Sequence, residues 1–279
     1  MTWPLIKPSD FILNLPLPAS AWSKIRFVYF DIGNVLIDLH WDAYFQAWEE
    51  IFASHHVTKS QFMANLGKTQ ATKDWALGNI GPARYFEHIK AALEDSSFVK
   101  VTEQEFDAID LKNLSSLIVG PVRLGALRLV RELKSRGIGV GVLSNAVPWH
   151  ETDIEATLHL RDIFDVVCFS QDLGCEKPQP IIYQKAHARA HRWTSKRGDP
   201  KELDPKEVVF VDDLPENVTS ATDFGWNALH LNLLKDPYYT FGHQGLLKEE
   251  ECVPLCQSGA HFVHGEEAVI RLKSLLNIS

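Results

Sequence analysis

Polar residues that could carry out chemistry stand at the ends of several short apolar runs of this sequence. They are Asp31, Ser144, Asn145, Asp212 and Asp213. A carboxylate at the end of a central strand can act as a nucleophile when nearby positive charge offsets the repulsion of an anionic substrate, and Asp31 is the candidate. Two or three carboxylates with backbone carbonyls and waters are the usual ligands of Mg²⁺, which makes Asp212 and Asp213 candidate ligands.

A cation and hydrogen-bond donors accompany these acids. Lys177 follows another apolar run by a short loop, which could place its ammonium beside the carboxylates. The hydroxyl of Ser144 and the amide of Asn145, with free backbone N–H groups, could bind phosphoryl oxygens. The sequence therefore predicts phosphoryl transfer, with Asp31 in line for attack and with Mg²⁺ and Lys177 stabilising the charge on the transferring group.

The elements that must bring these residues together alternate between strands and helices. Five apolar runs indicate strands, at residues 25–30, 138–143, 166–169, 208–211 and 227–231. Helical patterns lie between them, at residues 122–136, 180–191 and 215–224. This alternation predicts an α/β fold with a doubly wound parallel sheet, in which ligands bind beyond the carboxyl ends of the strands. The polar segments should therefore converge on one crevice.

A segment with helical patterns alone interrupts the alternation. Residues 40–120 show amphipathic spacing at 41–52, 60–66, 84–93 and 102–117, which predicts a helical insertion after the first strand. The remaining boundaries divide the chain into three further parts. They are an extended, proline-containing arm at residues 1–24, a core at 25–39 and 121–232, and a C-terminal extension at 233–279.

Composition limits the classes of function. The chain has 279 residues, and 28 Lys and Arg against 36 Asp and Glu give a formal net charge of −8. That balance argues against a general attraction to nucleic acid or anionic membranes, so a phosphate ligand needs a local site. No apolar stretch reaches the length of a membrane span and no secretory signal is recognisable, so the expected location is cytoplasmic. The expected partner is a small phosphorylated metabolite, and the sequence identifies no protein partner.

A second candidate metal site lies near the C-terminus. Its residues are Cys252, Cys256, His261 and His264. Their spacing is tighter than that of usual zinc modules, so scattered surface residues are the favoured interpretation and a metal site is the alternative.

The polar segments resemble the four motifs of the haloacid dehalogenase-like hydrolase superfamily. The matching stretches are FDIGNV at 30–35, LSN at 143–145, EKP at 176–178 and VDDLPEN at 211–217. The resemblance spans residues 25–232. Within the superfamily, the sequence is most similar to the FDxGNV branch, which has a small helical cap inserted into a Rossmann-like core. The stretch SQDLG at 170–174 is similar to bacterial sugar-1-phosphate phosphatases.

The resemblance implies a metal centre built around the nucleophile. Asp31 would form a covalent aspartyl phosphate, and the backbone carbonyl of Gly33 would bind Mg²⁺. Asp213 would bind the metal directly, whereas Asp212 would bind it through a water molecule.

The resemblance also implies a set of substrate-binding residues. Ser144, Asn145 and Asn34 would contact the substrate, and Lys177 would bridge its phosphoryl group to the nucleophile. Asn217 would orient Lys177 or a metal-bound water. The cap at residues 40–120 would close over the substrate and exclude water.

The sequence departs from the superfamily at Gly33. Most phosphatases of this superfamily have Asp at this position, where it protonates the leaving oxygen and later activates water. A general acid or base contributes about 10²- to 10⁴-fold, so its loss should matter least for glycosyl 1-phosphates and other activated phosphates. Asp38 either supplies the missing acid or serves as a structural hydrogen-bond acceptor.

Two other functions stay open on the sequence. A metal-independent 2-haloacid dehalogenase also uses an Asp nucleophile, but the adjacent Asp212 and Asp213 would repel each other unless a cation held them. A non-catalytic protein could instead use the Gly33 site to bind a phosphometabolite or a protein partner.

Overall fold

A five-stranded parallel sheet forms the centre of the computed structural model, which describes residues 24–54, 56–96, 102–198 and 201–231. The strands are β1 Phe27–Phe30, β2 Ile37–Leu39, β3 Val119–Val122, β4 Gly139–Ser144, β5 Val166–Phe169, β6 Val208–Asp212 and β7 Asn227–His230. The sheet has the order β5-β4-β1-β6-β7, while β2 and β3 form a separate antiparallel pair. The predicted α/β fold with a doubly wound parallel sheet is confirmed.

The inner strands are buried on both faces. All residues of β1, β4 and β6 are buried, which explains why their sequences are almost continuously apolar. Phe27 of β1 pairs with Gly139 on one side and with Val208 on the other. Gly139 leaves room for the Phe27 and Trp193 rings, because a β-carbon there would overlap both. The strand that carries the candidate nucleophile is therefore the central one.

Helices follow the strands and fill a long insertion between β2 and β3. The described part of the insertion contains α1 Trp41–Ser54, α2 Lys59–Lys68, α3 Ala71–Ala76, α4 Pro82–Ser96, α5 Glu103–Asp107 and α6 Leu111–Ser116. The helices that follow are α7 Leu124–Ser135, α8 Pro148–Leu158, α9 Leu160–Ile163, α10 Ser170–Leu173, α11 Pro180–Lys196 and α12 Pro215–Phe224. Gly137, at a φ of 79°, and Gly225, at a φ of 105°, end α7 and α12 in the left-handed conformation that glycine adopts without strain.

Apolar side chains cover both faces of the sheet and the interior of the insertion. Alternate residues of β1 point to opposite faces, so Val28 and Phe30 pack beneath α7 whereas Phe27 and Tyr29 pack beneath α11. A third cluster lies among helices α1 to α6 and extends to Trp149 of α8 in the core. The insertion therefore has apolar packing of its own and a contact with the sheet-bearing part of the chain.

The antiparallel pair β2–β3 was not predicted, and it moves several expected boundaries. Val122, expected to begin a helix, pairs with Ile37, and α7 begins only at Leu124. Residues 119 and 120 likewise belong to β3 and not to the helical insertion. Residues 102–117 form the two short helices α5 and α6 instead of one. Strands of three and four residues are too short to show an alternating pattern, which is why the sequence did not reveal them.

Some sequence predictions fall outside the described residues. They concern the arm at residues 1–23, the extension beyond residue 231, and Cys252, Cys256, His261 and His264 within that extension. Among the helices within the described ranges, none combines the length and apolarity needed to cross a membrane.

Candidate active site

The carboxyl ends of the central strands meet at one edge of the sheet and bring the predicted acids together. Asp31 directly follows β1 and donates its backbone N–H to Val211 O at 2.8 Å, while Asp212 is the last residue of β6. One carboxylate oxygen from each of Asp31, Asp212 and Asp213 lies within 4.8 Å of the other two. Three carboxylates at this spacing can share one divalent cation.

The ammonium of Lys177 lies between two of these acids. Its Nζ is 2.8 Å from Asp31 Oδ1 and 2.6 Å from Asp212 Oδ2. Lys177 is only 4% exposed and Asp212 is fully buried, so these charges are compensated by one another and not by water. Burial lowers the pKa of Lys177, but the attraction of Asp31 and Asp212 outweighs burial and raises the pKa above its ordinary value. The ammonium therefore stays charged at neutral pH.

Asn145 holds the loop that carries Lys177. The Asn145 Nδ2 group donates to Lys177 O at 2.9 Å, and Asn145 Oδ1 accepts from the backbone N–H of Lys177 at 2.9 Å. The expected contact of this side-chain amide with the substrate stays a prediction, and the two bonds to Lys177 give the side chain a further role. Ser144, one residue earlier, is buried at the carboxyl end of β4, beside β1.

Asn217 orients Asp212. Its Nδ2 group lies 3.0 Å from Asp212 Oδ1 and 3.1 Å from Asp212 Oδ2, and both residues are buried. The backbone N–H of Leu214 adds a third hydrogen bond, to Asp212 Oδ1 at 2.8 Å. Because Asp212 in turn contacts Lys177, Asn217 reaches the lysine through the carboxylate. The expectation that Asn217 orients Lys177 or a metal-bound water stays a prediction.

Asn34 orients Asp213. Its expected contact with the substrate stays a prediction. Its Nδ2 group donates to Asp213 Oδ2 at 3.0 Å, and its Oδ1 accepts from the backbone N–H of Leu39 at 3.3 Å. The residue has a φ of 56°, a left-handed conformation that asparagine tolerates better than most residues. The turn after β1 therefore aims the Asn34 amide at Asp213.

The three acids are not fully compensated by Lys177. Burial raises the pKa of Asp31 to about 7, and the charges of Asp212 and Asp213 add to that effect although Lys177 opposes it. Burial also raises the pKa of Asp213, against the hydrogen bond from Asn34. A carboxylate cluster that still favours protonation is a good site for a hard divalent cation, so the residues present fit Mg²⁺.

The space beside Gly33 is filled by an apolar side chain. A β-carbon on Gly33 would overlap Leu39, whose side chain packs against the glycine. Asp38, the alternative acid, accepts at its Oδ1 from both Nε and Nη2 of Arg123, each at 2.7 Å. These contacts favour the structural interpretation of Asp38, because the ion pair joins the middle of β2 to the residue after β3.

Ser170 connects the site to the helical insertion, and sequence reasoning did not single it out. Its fully buried hydroxyl accepts from the backbone N–H of Ala146 at 3.2 Å and donates to Ala76 O, at the end of α3, at 2.8 Å. Ala146 directly follows Asn145, so one hydroxyl contacts both the loop after β4 and the insertion. The only sequence signal was the position of Ser170 at the start of the stretch SQDLG.

Solved structures of two bacterial proteins have a similar fold. A HAD family enzyme of Bacteroides thetaiotaomicron aligns over 78% of this chain and 98% of its own, with a TM-score of 0.59 and 20% sequence identity. The same enzyme in complex with magnesium and inorganic phosphate aligns with a TM-score of 0.56 at 21% identity, over 78% of this chain and 99% of its own. A HAD-like family hydrolase of Porphyromonas gingivalis aligns over 81% and 100%, with a TM-score of 0.54 at 19% identity.

Sequence comparison identifies the family. The mouse haloacid dehalogenase-like hydrolase domain-containing protein 3 is 26% identical over 190 residues, which cover 68% of each chain. A hydrolase of Schizosaccharomyces pombe is 28% identical over 106 residues, and this chain spans only 44% of that relative's length and matches it over 38% of its own. The sequence profile of haloacid dehalogenase-like hydrolases matches residues 25–225, well over half of the chain. This protein therefore belongs to the haloacid dehalogenase-like hydrolase family.

Proposed function

We propose that the protein is a Mg²⁺-dependent phosphatase that hydrolyses a small phosphorylated metabolite through an aspartyl phosphate on Asp31. One observation carries the proposal: Lys177 Nζ contacts Asp31 and Asp212 while the carboxylates of Asp31, Asp212 and Asp213 converge. The cluster offers a nucleophilic oxygen, a fixed ammonium and ligands for a hard cation. These are the groups that an anionic phosphoryl substrate requires.

The reaction divides into two displacements at phosphorus. In the first, a carboxylate oxygen of Asp31 attacks and the bond from phosphorus to the leaving oxygen breaks, while Lys177 and the Ser144 hydroxyl stabilise the phosphoryl oxygens. When bound, Mg²⁺ neutralises part of the charge on the phosphoryl group. In the second, water attacks phosphorus, the Asp31–phosphorus bond breaks, and inorganic phosphate leaves with the Asp31 carboxylate restored.

Three amides serve as positioning residues in this proposal. Asn145 fixes the backbone of Lys177, Asn217 fixes Asp212, and Asn34 fixes Asp213. Lys177, Asp212 and Asp213 are thus each held by a neighbouring amide. Such support keeps the geometry ready before the substrate arrives, which is where much of the catalytic advantage of a preorganised site lies.

The surroundings of Gly33 favour a substrate whose leaving oxygen needs little protonation. Leu39 is apolar and fills the space beside Gly33, so neither residue can donate a proton there. Anomeric, acyl and aryl oxygens leave more readily than primary alkoxides. We therefore propose activated phosphates as the substrate class, with sugar 1-phosphates as the leading members.

The insertion has the position of a cap in this proposal. Residues 40–120 contain the helices between β2 and β3, and α3 reaches the core through Ala76 and Ser170. Closure over a bound substrate would exclude bulk water from the carboxylate cluster. The relative from Bacteroides thetaiotaomicron, crystallised with magnesium and inorganic phosphate, supports the proposed cation and ligand class for this fold.

A panel of phosphorylated metabolites tests the function. Phosphate release is measured with Mg²⁺ and with a chelator, for the wild type, Asp31→Asn and the exposed-surface control Asp223→Asn. We expect release that requires Mg²⁺, that falls by about a thousandfold or more in Asp31→Asn, and that is unchanged in the control.

Other outcomes assign other functions. Release of halide from a 2-haloacid in the presence of chelator would identify a dehalogenase. Binding of phosphate esters without turnover, unaffected by Mg²⁺, would identify a non-catalytic binding protein. Either result overturns the phosphatase proposal.

A further inference from the structure

Two buried polar atoms on the touching segments α3 and α10 have no hydrogen-bond partner among the described residues. They are Trp75 Nε1, in α3 of the insertion, and Gln171 Oε1, in α10 of the core. Trp75 is only 3% exposed. An N–H donor and a carbonyl acceptor that stay unpaired in the interior are unfavourable, so their presence requires an explanation.

The orientation of Gln171 is set by a neighbouring carboxylate. Gln171 Nε2 donates to Glu151 Oε2 in α8, and the other oxygen of Glu151 accepts from Arg161 Nη2 at 2.6 Å. An ionised carboxylate can only accept hydrogen bonds, so the amide must turn its NH₂ group to Glu151. The acceptor Gln171 Oε1 is thereby fixed on the other side of the amide.

The indole of Trp75 is held by aromatic contacts. Its ring stacks on Tyr85, with the ring centroids 4.0 Å apart, and meets Trp149 edge to face at 4.7 Å. Tyr85 belongs to the insertion, whereas Trp149 belongs to α8, which follows the loop that contains Asn145. The N–H donor of Trp75 is therefore held in a defined direction at the boundary between the insertion and the core.

The segments that carry Trp75 and Gln171 touch each other beside the candidate active site. Ala76, next to Trp75, is bonded to Ser170, next to Gln171. A β-carbon on Gly78 would lie 2.8 Å from Gln171 O, so the two backbones are in close contact. The same Ser170 hydroxyl accepts from Ala146 N, in the loop after β4.

We propose that Trp75 and Gln171 form a binding site for a hydroxylated leaving group, such as that of a sugar phosphate. A hydroxyl group both accepts and donates, so neighbouring hydroxyls can accept from Trp75 Nε1 and donate to Gln171 Oε1. The leaving group reaches these atoms when α3 separates from α10, and both atoms are satisfied once the segments close around it. This inference rests on the proposed phosphatase function and narrows its substrate class.

Two substrates with different leaving groups test the site. Glucose 1-phosphate has a hydroxylated leaving group, whereas the leaving group of p-nitrophenyl phosphate has none. The variant Trp75→Phe removes the N–H group and keeps an aromatic ring. We expect the ratio of kcat/KM for glucose 1-phosphate to that for p-nitrophenyl phosphate to fall about tenfold in Trp75→Phe and in Gln171→Met, mainly through KM.

A matched control distinguishes the lost hydrogen bond from a general effect on the insertion. Trp48→Phe makes the same substitution at another buried tryptophan of the insertion, which packs on Phe52 and Phe62. The ratio should stay within about twofold of the wild type there. A ratio unchanged in Trp75→Phe and Gln171→Met, or equal losses on both substrates, would overturn the inference.

A binding measurement separates this inference from the proposed function. Calorimetry on Asp31→Asn with Mg²⁺ compares glucose 1-phosphate with inorganic phosphate as ligands. We expect tighter binding of the sugar phosphate, and we expect the added Trp75→Phe substitution to remove most of that difference. If the sugar phosphate binds more tightly in this way but the wild type does not hydrolyse it, the phosphatase proposal is overturned and the leaving-group site of Trp75 and Gln171 stands. If the wild type hydrolyses p-nitrophenyl phosphate but glucose 1-phosphate binds no more tightly than inorganic phosphate, the leaving-group site is overturned and the phosphatase proposal stands.

Discussion

Leu39 Cδ1 lies 2.7 Å from the position that a β-carbon on Gly33 would take. No side chain can be added at Gly33 unless that methyl group moves. Leu39 therefore occupies the space beside the second position after the nucleophile, where most phosphatases of this superfamily have a carboxylate. A side chain added at Gly33 requires this leucine side chain to turn away.

The first prediction concerns this pair. Gly33→Asp introduces an acid next to Asp31, but Leu39 obstructs it, so the single variant should gain little on primary-alcohol phosphates such as glucose 6-phosphate. Gly33→Asp combined with Leu39→Ala should raise kcat at least about tenfold over Leu39→Ala alone, because a general acid contributes about 10²- to 10⁴-fold. Steady-state kinetics on the four proteins checks this. An equal gain with and without Leu39 would contradict the role given to that side chain.

The second prediction concerns Lys177. Lys177→Met leaves the carboxylates of Asp31 and Asp212 buried without their cation. Removing one partner of a buried ion pair costs about 3–5 kcal/mol, so urea unfolding without Mg²⁺ should show a loss of that order together with loss of activity. Adding Asp212→Asn should recover part of the stability but none of the activity. A stability of Lys177→Met equal to that of the wild type would show that the ammonium is not needed to compensate these acids.

The third prediction concerns the support of Asp213. Asn34→Ala removes the hydrogen bond to Asp213 Oδ2, and loss of such a partner typically lowers metal affinity about 10- to 100-fold. The Mg²⁺ concentration that gives half-maximal activity should rise by that factor, while kcat at saturating Mg²⁺ changes less. Asn113→Ala, on α6 of the insertion, is the control that should leave the Mg²⁺ dependence unchanged. A lower kcat at an unchanged Mg²⁺ requirement would instead favour a direct contact between Asn34 and the substrate.

The fourth prediction concerns pH and the His187 side chain. His187 Nδ1 accepts from Trp226 Nε1 at 3.1 Å, and His187 Nε2 donates to Leu203 O at 2.9 Å. An indole N–H only donates and a carbonyl only accepts, so the two bonds fix the neutral ring. Burial lowers the pKa of His187 below its ordinary value, although the bond to Leu203 opposes this. The stability that His187 contributes is therefore complete above about pH 6.5 and is lost as the pH falls through the lowered pKa.

Urea unfolding at several pH values measures this dependence. The free energy of unfolding should decrease as the pH falls below about 6.5, and Trp226→Phe should weaken the decrease, because a protonated His187 then has no indole bond to lose. A steeper dependence in Trp226→Phe would show that the indole bond does not hold the neutral ring.

Some of the candidate site could be predicted because it depends on local patterns. Apolar runs that end in polar residues identify the carboxyl ends of buried parallel strands, and parallel strands bring those ends together. Asp31, Asp212 and Asp213 were placed correctly for this reason. Lys177 was placed correctly because the short segment after β5, which contains α10, limits how far its ammonium can lie from the same edge.

The amides could not be predicted in this way. Asn145 is hydrogen-bonded to the backbone of Lys177, and Asn34 is hydrogen-bonded to Asp213. Both partners are distant in the sequence. An asparagine offers a donor and an acceptor to any neighbour, and only the folded distances decide which neighbour is reached. The β2–β3 pair was missed for a related reason, since Ile37 finds its partner Val122 beyond the whole insertion.

The place of β1 in the sheet has a consequence for synthesis on the ribosome. β1 precedes β4 and β6 in the sequence but lies between them in the sheet, so neither neighbour exists when Phe27–Phe30 leaves the exit tunnel. This short aromatic segment has no parallel neighbour until Gly139 and the residues after it have been translated. A nascent chain of this kind exposes an unpaired apolar strand while all the residues between Phe30 and Gly139 are translated, and exposed apolar segments of this kind are what chaperones protect.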